Sequence, residues 1–178
     1  MATLISGSTG VNKITDGTIT NADIASGAAI AGAKLVMPTG SVLQVVQSGT
    51  INRVTFTNSN TWTDLDNQLS ITPSATSSKI LITAFQGSRI VGNTPMRGSF
   101  RLLRGSTVIW NTSGLGEQFQ VRNAADEFGQ NTTISYLDSP STASAVTYKI
   151  QAWMTNGTNL IAWESSYGSN MILQEIKG

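Results

Sequence analysis

The spacing of apolar residues divides this chain into two regions, one before residue 36 and one after it. In the first region, large apolar side chains stand about five positions apart, separated by Asp, Gly, Thr, Ser and Ala. That spacing fits neither the period of two of a β-strand nor the period of 3.6 of an α-helix. The apolar positions are Ile14, Ile19, Ile24, Ile30 and Leu35.

A single chain with this spacing cannot bury its isoleucines by itself. Several copies wound together can cover one another's apolar side chains, so we interpret residues 1–36 as an extended N-terminal oligomerisation segment. The alternative interpretation is a disordered leader, because the composition of this region is polar and poor in charge.

From Met37 onward the pattern is typical of short β-strands. Residues 37–40, Met-Pro-Thr-Gly, predict a turn. In the longest run after it, every second residue from Val146 to Ala152 is apolar, which predicts the side that faces the core. The run Lys79–Phe85 lacks this alternation, which predicts a strand buried on both faces.

We predict about nine or ten strands, joined by connections rich in Ser, Thr, Asn and Gly. They are Ser41–Gln47, Ile51–Thr57, Gln68–Thr72, Lys79–Phe85, Ser99–Arg104, Ser106–Asn111, Thr132–Leu137, Ala145–Trp153, Asn159–Glu164 and Met171–Lys177. No helical pattern intervenes, which argues against a parallel sheet. The predicted fold of residues 37–178 is therefore all-β, an antiparallel β-sandwich of jelly-roll kind.

Composition narrows the possible functions. Only 12% of the residues are charged and the net charge is +1, so the sequence has no electrostatic footprint for nucleic acid. The chain contains no cysteine and no histidine, which removes the usual thiolate nucleophiles, general bases and transition-metal ligands. We therefore expect no enzymatic activity, no catalytic residues, no metal and no cofactor.

The sequence also bears on localisation. The N-terminal residues lack the basic and apolar regions of a signal peptide, and no stretch approaches the roughly 20 apolar residues that cross a bilayer. We expect a protein made in a cytoplasm, without membrane insertion.

Two groups of acidic residues are candidates for chemistry. Asp64 and Asp66 have a spacing that can begin a calcium site, but no Gly and Glu follow at the required positions, so we favour a structural turn. A carboxylate pair for glycoside hydrolysis is a weaker hypothesis. Its candidates are Glu117, Asp126, Glu127 and Asp138.

Aromatic and arginine residues are the better candidates for recognition. Exposed aromatic rings anchor ligands at low entropic cost, and arginine binds anionic groups. We expect Trp153 and Trp163 to pack in the core. The candidate receptor-facing residues, several of them in the predicted loops Gly87–Arg97 and Ser113–Gln130, are Trp62, Arg89, Arg97, Arg122 and Tyr167.

Several segments resemble structural proteins of tailed bacteriophages, particularly those of marine and cyanobacterial hosts. Residues 14–35, with Asp-Gly-Thr-Ile followed by Ala-Asp-Ile, Ala-Ala-Ile and Lys-Leu, are similar to segments of tail-fibre-like proteins. The stretches 38–47, 69–82 and 136–151 are similar to the same group, whereas residues 85–131 match nothing in it.

This resemblance implies a homotrimeric, β-rich component of the virion. It implies a short tail fibre or fibre tip, whose partners are other copies of the chain, other tail or capsid proteins, and a host-surface glycan or protein. The alternative is a head decoration protein attached through its N-terminal arm, because the Asp-Gly-Thr-Ile unit occurs only once in full here.

Overall fold

In a computed structural model, the described part of the chain comprises residues 36–57, 61–92, 96–111, 119–121, 127–155, 159–162 and 168–178. The chain divides into Met1–Val36 and Met37–Gly178, and the description concerns the second unit. Its secondary structure is all β. The strands are β1 (Val42–Gln47), β2 (Val54–Thr57), β3 (Thr63–Ile71), β4 (Lys79–Val91), β5 (Met96–Arg104), β6 (Thr107–Asn111), β7 (Phe119–Val121), β8 (Glu127–Asp138), β9 (Val146–Thr155), β10 (Asn159–Ala162) and β11 (Asn170–Ile176).

The strands form two antiparallel sheets. In the first sheet β11 lies between β1 and β4, and β8 pairs with the other side of β4. In the second sheet the order is β3-β9-β5-β6, with β7 beside the first residues of β5. The pairing is nested: β1 with β11, β3 with β9, β4 with β8, and β5 with β6. Nested antiparallel pairing across two sheets is a jelly roll, so the predicted fold class is confirmed.

The first and last strands of the roll are both interrupted. β2 continues the line of β1 and pairs with β10, while β10 and β11 share the same side of β4. Just after the end of β1, the Ser48 amide donates to the carbonyl of Met171 in β11 at 2.8 Å, and the Met171 amide donates to Ser48 Oγ at 2.9 Å. The pairing of β1 with β11 therefore continues by one residue, to Ser48.

The core lies between the sheets and is built by alternation. Every second residue of β9 from Val146 to Met154 is buried, which confirms the predicted core face of this strand. On the facing sheet, Ile80, Ile82 and Leu173 are fully buried. Complete burial of such a side chain is worth about 1.5–3 kcal/mol.

A few polar side chains are also buried, and each is held by hydrogen bonds. Arg104 Nη1 donates to both carboxylate oxygens of Asp138, and the Tyr148 hydroxyl donates to Asp138 Oδ2 at 2.8 Å. Burial, together with this bond, raises the pKa of Tyr148, so the phenol is a neutral donor. Asp138 is thus a structural group that ties β8 to β5 and β9.

Glu175 is the most enclosed carboxylate in the described residues, at 0% exposure. Its Oε1 accepts from the Ser74 amide, Ser74 Oγ and Ser78 Oγ, and its Oε2 accepts from Gln44 Nε2 at 2.6 Å. Burial alone raises the pKa of Glu175, but the hydrogen bonds from Ser74, Ser78 and Gln44 outweigh it and lower the pKa to about 2. The carboxylate therefore anchors the β3–β4 connection to the first sheet.

All ten predicted strands are present, but several boundaries were wrong. β4 continues to Val91 and β5 begins at Met96, so most of the predicted loop Gly87–Arg97 is strand. β8 begins at Glu127, which removes residues 127–130 from the second predicted loop, and β7 was not predicted. Gln86, Gly87 and Ser88 in the extension of β4 are polar or small although they are buried, so this part of the strand lacks the apolar pattern that predicts a β-strand.

Two local predictions need correction. Leu81 is half-buried because it faces outward, so Lys79–Phe85 is not buried on both faces. The segment Asp64–Asn67 is not a loop turn but a β-bulge within β3, where the register against β9 shifts. Gly105, which separates the predicted strands Ser99–Arg104 and Ser106–Asn111, lies in the turn between β5 and β6 with a left-handed φ of 58°.

Candidate binding surface on the second sheet

The outward face of the second sheet carries polar and aromatic side chains on neighbouring strands. In β9 the outward positions are Thr147, Lys149, Gln151 and Trp153, all half-buried. Directly opposite residues of an antiparallel pair lie on the same face, so Arg101 of β5 joins Gln151 on this side, and Asp64 of β3 joins it from the other. We call Trp62, Asp64, Arg101, Lys149, Gln151 and Trp153 the outer cluster.

Hydrogen bonds cross the three strands of the outer cluster in a chain. Arg101 Nε donates to Gln151 Oε1 at 2.7 Å, and Gln151 Nε2 donates to Asp64 Oδ1 at 2.5 Å. Lys149 Nζ donates to Asp64 Oδ2 at 2.7 Å, which completes an ion pair. The amide of Gln151 is therefore fixed in orientation by a donor on one side and an acceptor on the other.

The hydrogen bond from Lys149, followed by that from Gln151, lowers the pKa of Asp64. The carboxylate is consequently ionised at neutral pH. Its side chain remains 56% exposed, and an ionised carboxylate has about four acceptor sites, so some are still open to solvent.

Two tryptophan rings border this chain of hydrogen bonds. The ring centroids of Trp62 and Trp153 are 6.4 Å apart with the planes inclined by 35°, and the Arg101 guanidinium carbon lies 4.3 Å from the Trp62 centroid. A cation over an indole ring is attracted by the ring quadrupole. Burial is the main influence on Arg101 and lowers its pKa, yet the group stays a cation because arginine titrates far above neutral pH.

The β-bulge at Asp64–Gln68 changes the direction of successive side chains in β3, so nearby polar residues of this strand have different partners. Asp64 points outward to the outer cluster, whereas Asp66 Oδ2 accepts from the backbone and side-chain nitrogens of Asn52, at 2.6 and 2.8 Å. The side chain of Asn67 is buried and donates to Gln86 Oε1 at 3.0 Å. The two carboxylates thus bind different partners, and the described residues contain no group of three or more acidic side chains arranged for a metal ion.

Only some of the residues that the sequence predicts to face a receptor lie on the outward face of the second sheet. Trp62 is half-buried within the outer cluster, and Arg97 lies on the same outward face, opposite Thr155 in β9. Arg89 lies on the other sheet, opposite Gly129 and Ile161, and is in a strand rather than a loop. Arg122, Tyr167 and the five apolar positions of the leader lie outside the described residues.

Most residues of the outer cluster were not predicted from the sequence to form a binding site. Trp153 was expected in the core, but it shares the outward parity of Lys149 and Gln151 in β9, and that alternation was visible in the sequence. The contributions of Arg101 and Asp64 depend on pairing with Gln151, which is 50 and 87 positions away, and no local pattern reveals such pairing.

Comparisons with known proteins give little further guidance. No protein-family model and no curated protein matches the chain. Among solved structures, it is similar to the infectious bursal disease virus VP2 subviral particle, with a TM-score of 0.38 and 12% identity over 85% of this chain. A structure of the Gt strain of the same virus gives a TM-score of 0.37 and 9% identity over 84%.

The chain spans only 37% and 42% of the length of these two viral chains. Superpositions with TM-scores below 0.5 do not establish a common fold, so the assignment of a jelly roll rests on the strand pairing of the protein itself. No helix in the described part of the chain is long and apolar enough to cross a membrane.

Proposed function

We propose that this protein is a structural component of a virion, a short trimeric tail fibre or fibre tip of a tailed bacteriophage. Its jelly-roll head binds a host-surface glycan through the outer cluster. The resemblance of residues 14–35 to tail-fibre-like segments supports the placement on a phage. The role of the head is a binding role, without catalysis.

The observation that carries the binding role is the outer cluster itself. Carbohydrates present apolar ring faces and hydroxyl groups, and the cluster offers indole rings beside a fixed amide and an exposed carboxylate. Its side chains are pre-ordered by hydrogen bonds, so little conformational entropy is lost when a ligand binds. Jelly rolls occur in viral capsid and lectin domains, which is compatible with this role, although a fold alone does not define a function.

A second candidate function is a head decoration protein attached to the capsid. The observation that favours it is the presence of exposed Val45 and Leu137 on the outward face of the first sheet. Apolar residues on an outward face suit a protein that is covered by its neighbours on a capsid surface.

Binding to a printed array of bacterial surface polysaccharides tests the glycan-binding role. We expect the full chain to bind a subset of the array, and Trp62→Ala to weaken that binding at least tenfold because the ring and its contact with Arg101 are lost. Asp64→Asn is expected to weaken it as well, because Asn offers fewer acceptors and no charge.

The matched control is Asp66→Asn, a carboxylate two positions away that binds Asn52 rather than the outer cluster. This variant should bind the array like the unaltered chain. Equal binding by all three variants would contradict a role for the outer cluster, and binding to no polysaccharide would contradict glycan recognition.

Copy number separates the two virion locations. Quantitative mass spectrometry of purified virions should find this chain in the small number of copies expected for fibres. A shell-covering decoration protein follows the capsid symmetry and is expected in at least tenfold excess over fibre subunits, which would favour the second candidate.

A further inference from the structure

Part of the outward face of the first sheet carries apolar side chains, where an exposed sheet is usually polar. In β11 the inward residues Met171 and Leu173 are buried in the core. The outward residues of the same strand are Asn170, Ile172, Gln174 and Ile176, so two of the four are isoleucine. An antiparallel sheet with one solvated face normally has polar residues at such positions.

Neighbouring strands extend this apolar surface. Val45 of β1 and Leu81 of β4 are both opposite Gln174, and Leu137 of β8 is opposite Leu81. Val42 of β1 is opposite Ile176. These directly opposed side chains share a face. We call Val42, Val45, Leu81, Leu137, Ile172 and Ile176 the apolar face.

The edges of the apolar face are its most exposed parts. Val42, Val45 and Leu137 are 48%, 55% and 50% exposed. Single exposed apolar residues are common on protein surfaces, but these six belong to adjacent positions on four neighbouring strands. Contiguous apolar surface of this kind marks a site where another molecule packs.

The charge of the apolar face restricts what can cover it. The outward row through Val45, Gln174, Leu81 and Leu137 contains no ionisable group, and Lys79, opposite Ile176, borders the apolar face at one end. A strongly charged partner would gain little here and would pay for desolvation. An uncharged apolar surface fits best, and a second copy of the chain provides one.

Met37, the first residue of the head, is held beside the end of β11. The backbone of Lys177 follows Ile176 and accepts a hydrogen bond from Gly40, and the Lys177 ammonium donates to the carbonyl of Met37. The 36 residues that precede Met37, which the sequence predicts to be an association segment, therefore join the head at β1 and β11. Copies joined through that segment would have these strands close to each other.

We propose that the apolar face is the surface through which the heads of identical chains pack against one another. This inference rests on the proposed function in one respect, namely that the protein acts as an assembly of identical chains. The leader alone would tether the heads, whereas contact through the apolar face would fix their orientation and leave the outer cluster of each head directed outward.

The test compares full-length variants by light scattering across a dilution series. Val45→Asp/Leu137→Asp places two carboxylates in the apolar face without altering the core. The matched control is Gln68→Asp/Thr107→Asp, which adds the same charges at exposed positions of the second sheet. Circular dichroism at each dilution confirms that the heads remain folded.

We expect the unaltered chain and the control to form the same oligomer, and the Val45→Asp/Leu137→Asp variant to dissociate at a concentration at least tenfold higher. An unchanged dissociation midpoint for this variant would show that the apolar face is not a contact between heads. The proposal that the chain forms an assembly would not be affected by that result. A monomeric unaltered chain at all concentrations would overturn both the inference and the proposed assembly.

Should the double aspartate variant fail to fold, a milder pair of variants answers the same question. The chain has no cysteine, so Val45→Cys and Gln68→Cys each introduce a single thiol. Protection of the first thiol from a maleimide on oligomerisation would support the inference, and equal reactivity of both would overturn it.

Discussion

The two outward faces of this sandwich are built on strands with the same alternation but with different side chains. β9 and β11 both bury every second residue, and each lies in the interior of its sheet. β9 presents Lys149, Gln151 and Trp153 outward, while β11 presents Ile172 and Ile176 beside Gln174. One face is therefore equipped for polar and aromatic contacts, and the other for burial against an apolar surface.

This difference shows that the outward positions of a jelly roll, rather than its core positions, indicate function. The core positions of both sheets obey the same rule and determine the fold. Departures from that rule at outward positions, such as isoleucine where a polar residue is expected, point to the surfaces at which other molecules bind.

The two sheets also differ in the environment of their carboxylates: Glu175 of the first sheet is buried, whereas Asp64 of the second is exposed. Substitution of Glu175 is expected to have the largest effect on the free energy of unfolding. Glu175→Gln places a donor group among the donors of Ser74, Ser78 and Gln44. We expect a loss of about 3 kcal/mol in the free energy of unfolding, as for other buried hydrogen-bonded charges. Urea denaturation measures it, and a loss below about 1 kcal/mol would contradict the described geometry.

The pH dependence of stability follows from the same residue. The folded pKa of Glu175, about 2, lies below the ordinary value of 4.5, so its contribution is present above pH 4.5 and is lost as the pH falls toward 2. A shift of this size corresponds to about 3 kcal/mol. Denaturation midpoints between pH 5 and 2.5 should fall less steeply in Glu175→Gln than in the unaltered chain.

Substitutions in the outer cluster should lower the free energy of unfolding less than Glu175→Gln does. Trp62→Ala removes the ring beneath Arg101 and beside Trp153, and we expect it to cost about 1–2 kcal/mol in unfolding free energy. Calorimetric or urea unfolding at neutral pH measures this cost. A loss as large as that of Glu175→Gln would mean that the outer cluster is a structural element of the core.

Asp64→Asn should have a smaller effect still. The pair of Asp64 with Lys149 is solvent-accessible, and exposed ion pairs contribute about 0–1 kcal/mol. Its contribution should diminish as salt is added, because salt screens exposed charges. Unfolding in low and high salt measures the effect, and a loss that is insensitive to salt would contradict a screened surface pair.

On the apolar face, single substitutions should hardly affect the folding of the isolated head. Val45→Thr replaces a half-exposed side chain outside the core, and surface changes of this kind usually stay within about 0.5 kcal/mol. Urea unfolding under dilute, monomeric conditions should show this small change. A cost above 1 kcal/mol would indicate that Val45 packs within its own chain.

Much of the fold could be predicted from the sequence, because alternation and turn residues are local signals. The buried face of β9 and the turn at Gly105 are examples, and both follow from patterns of a few residues. The full length of β4 and β8 could not be predicted, because the polar and small residues at 86–88 of β4 and 129–132 of β8 resemble loop composition.

The candidate site was harder to predict for a related reason. Trp62 was singled out, but its partners Arg101 and Trp153 come from strands that are distant in sequence. Only the pairing of β3, β9 and β5 brings these side chains together, and pairing depends on long-range contacts. The five leader positions and Arg122 and Tyr167 lie outside the described residues, so their roles remain predictions.

The central claim is that one outward face is covered in the assembled protein while the other stays open. Thiol labelling of Val45→Cys and Gln68→Cys, at concentrations below and above association, tests it directly. We predict that assembly slows labelling at position 45 at least tenfold and leaves position 68 unchanged. Equal labelling at both positions in the assembled protein, or protection of position 68 alone, would contradict the claim.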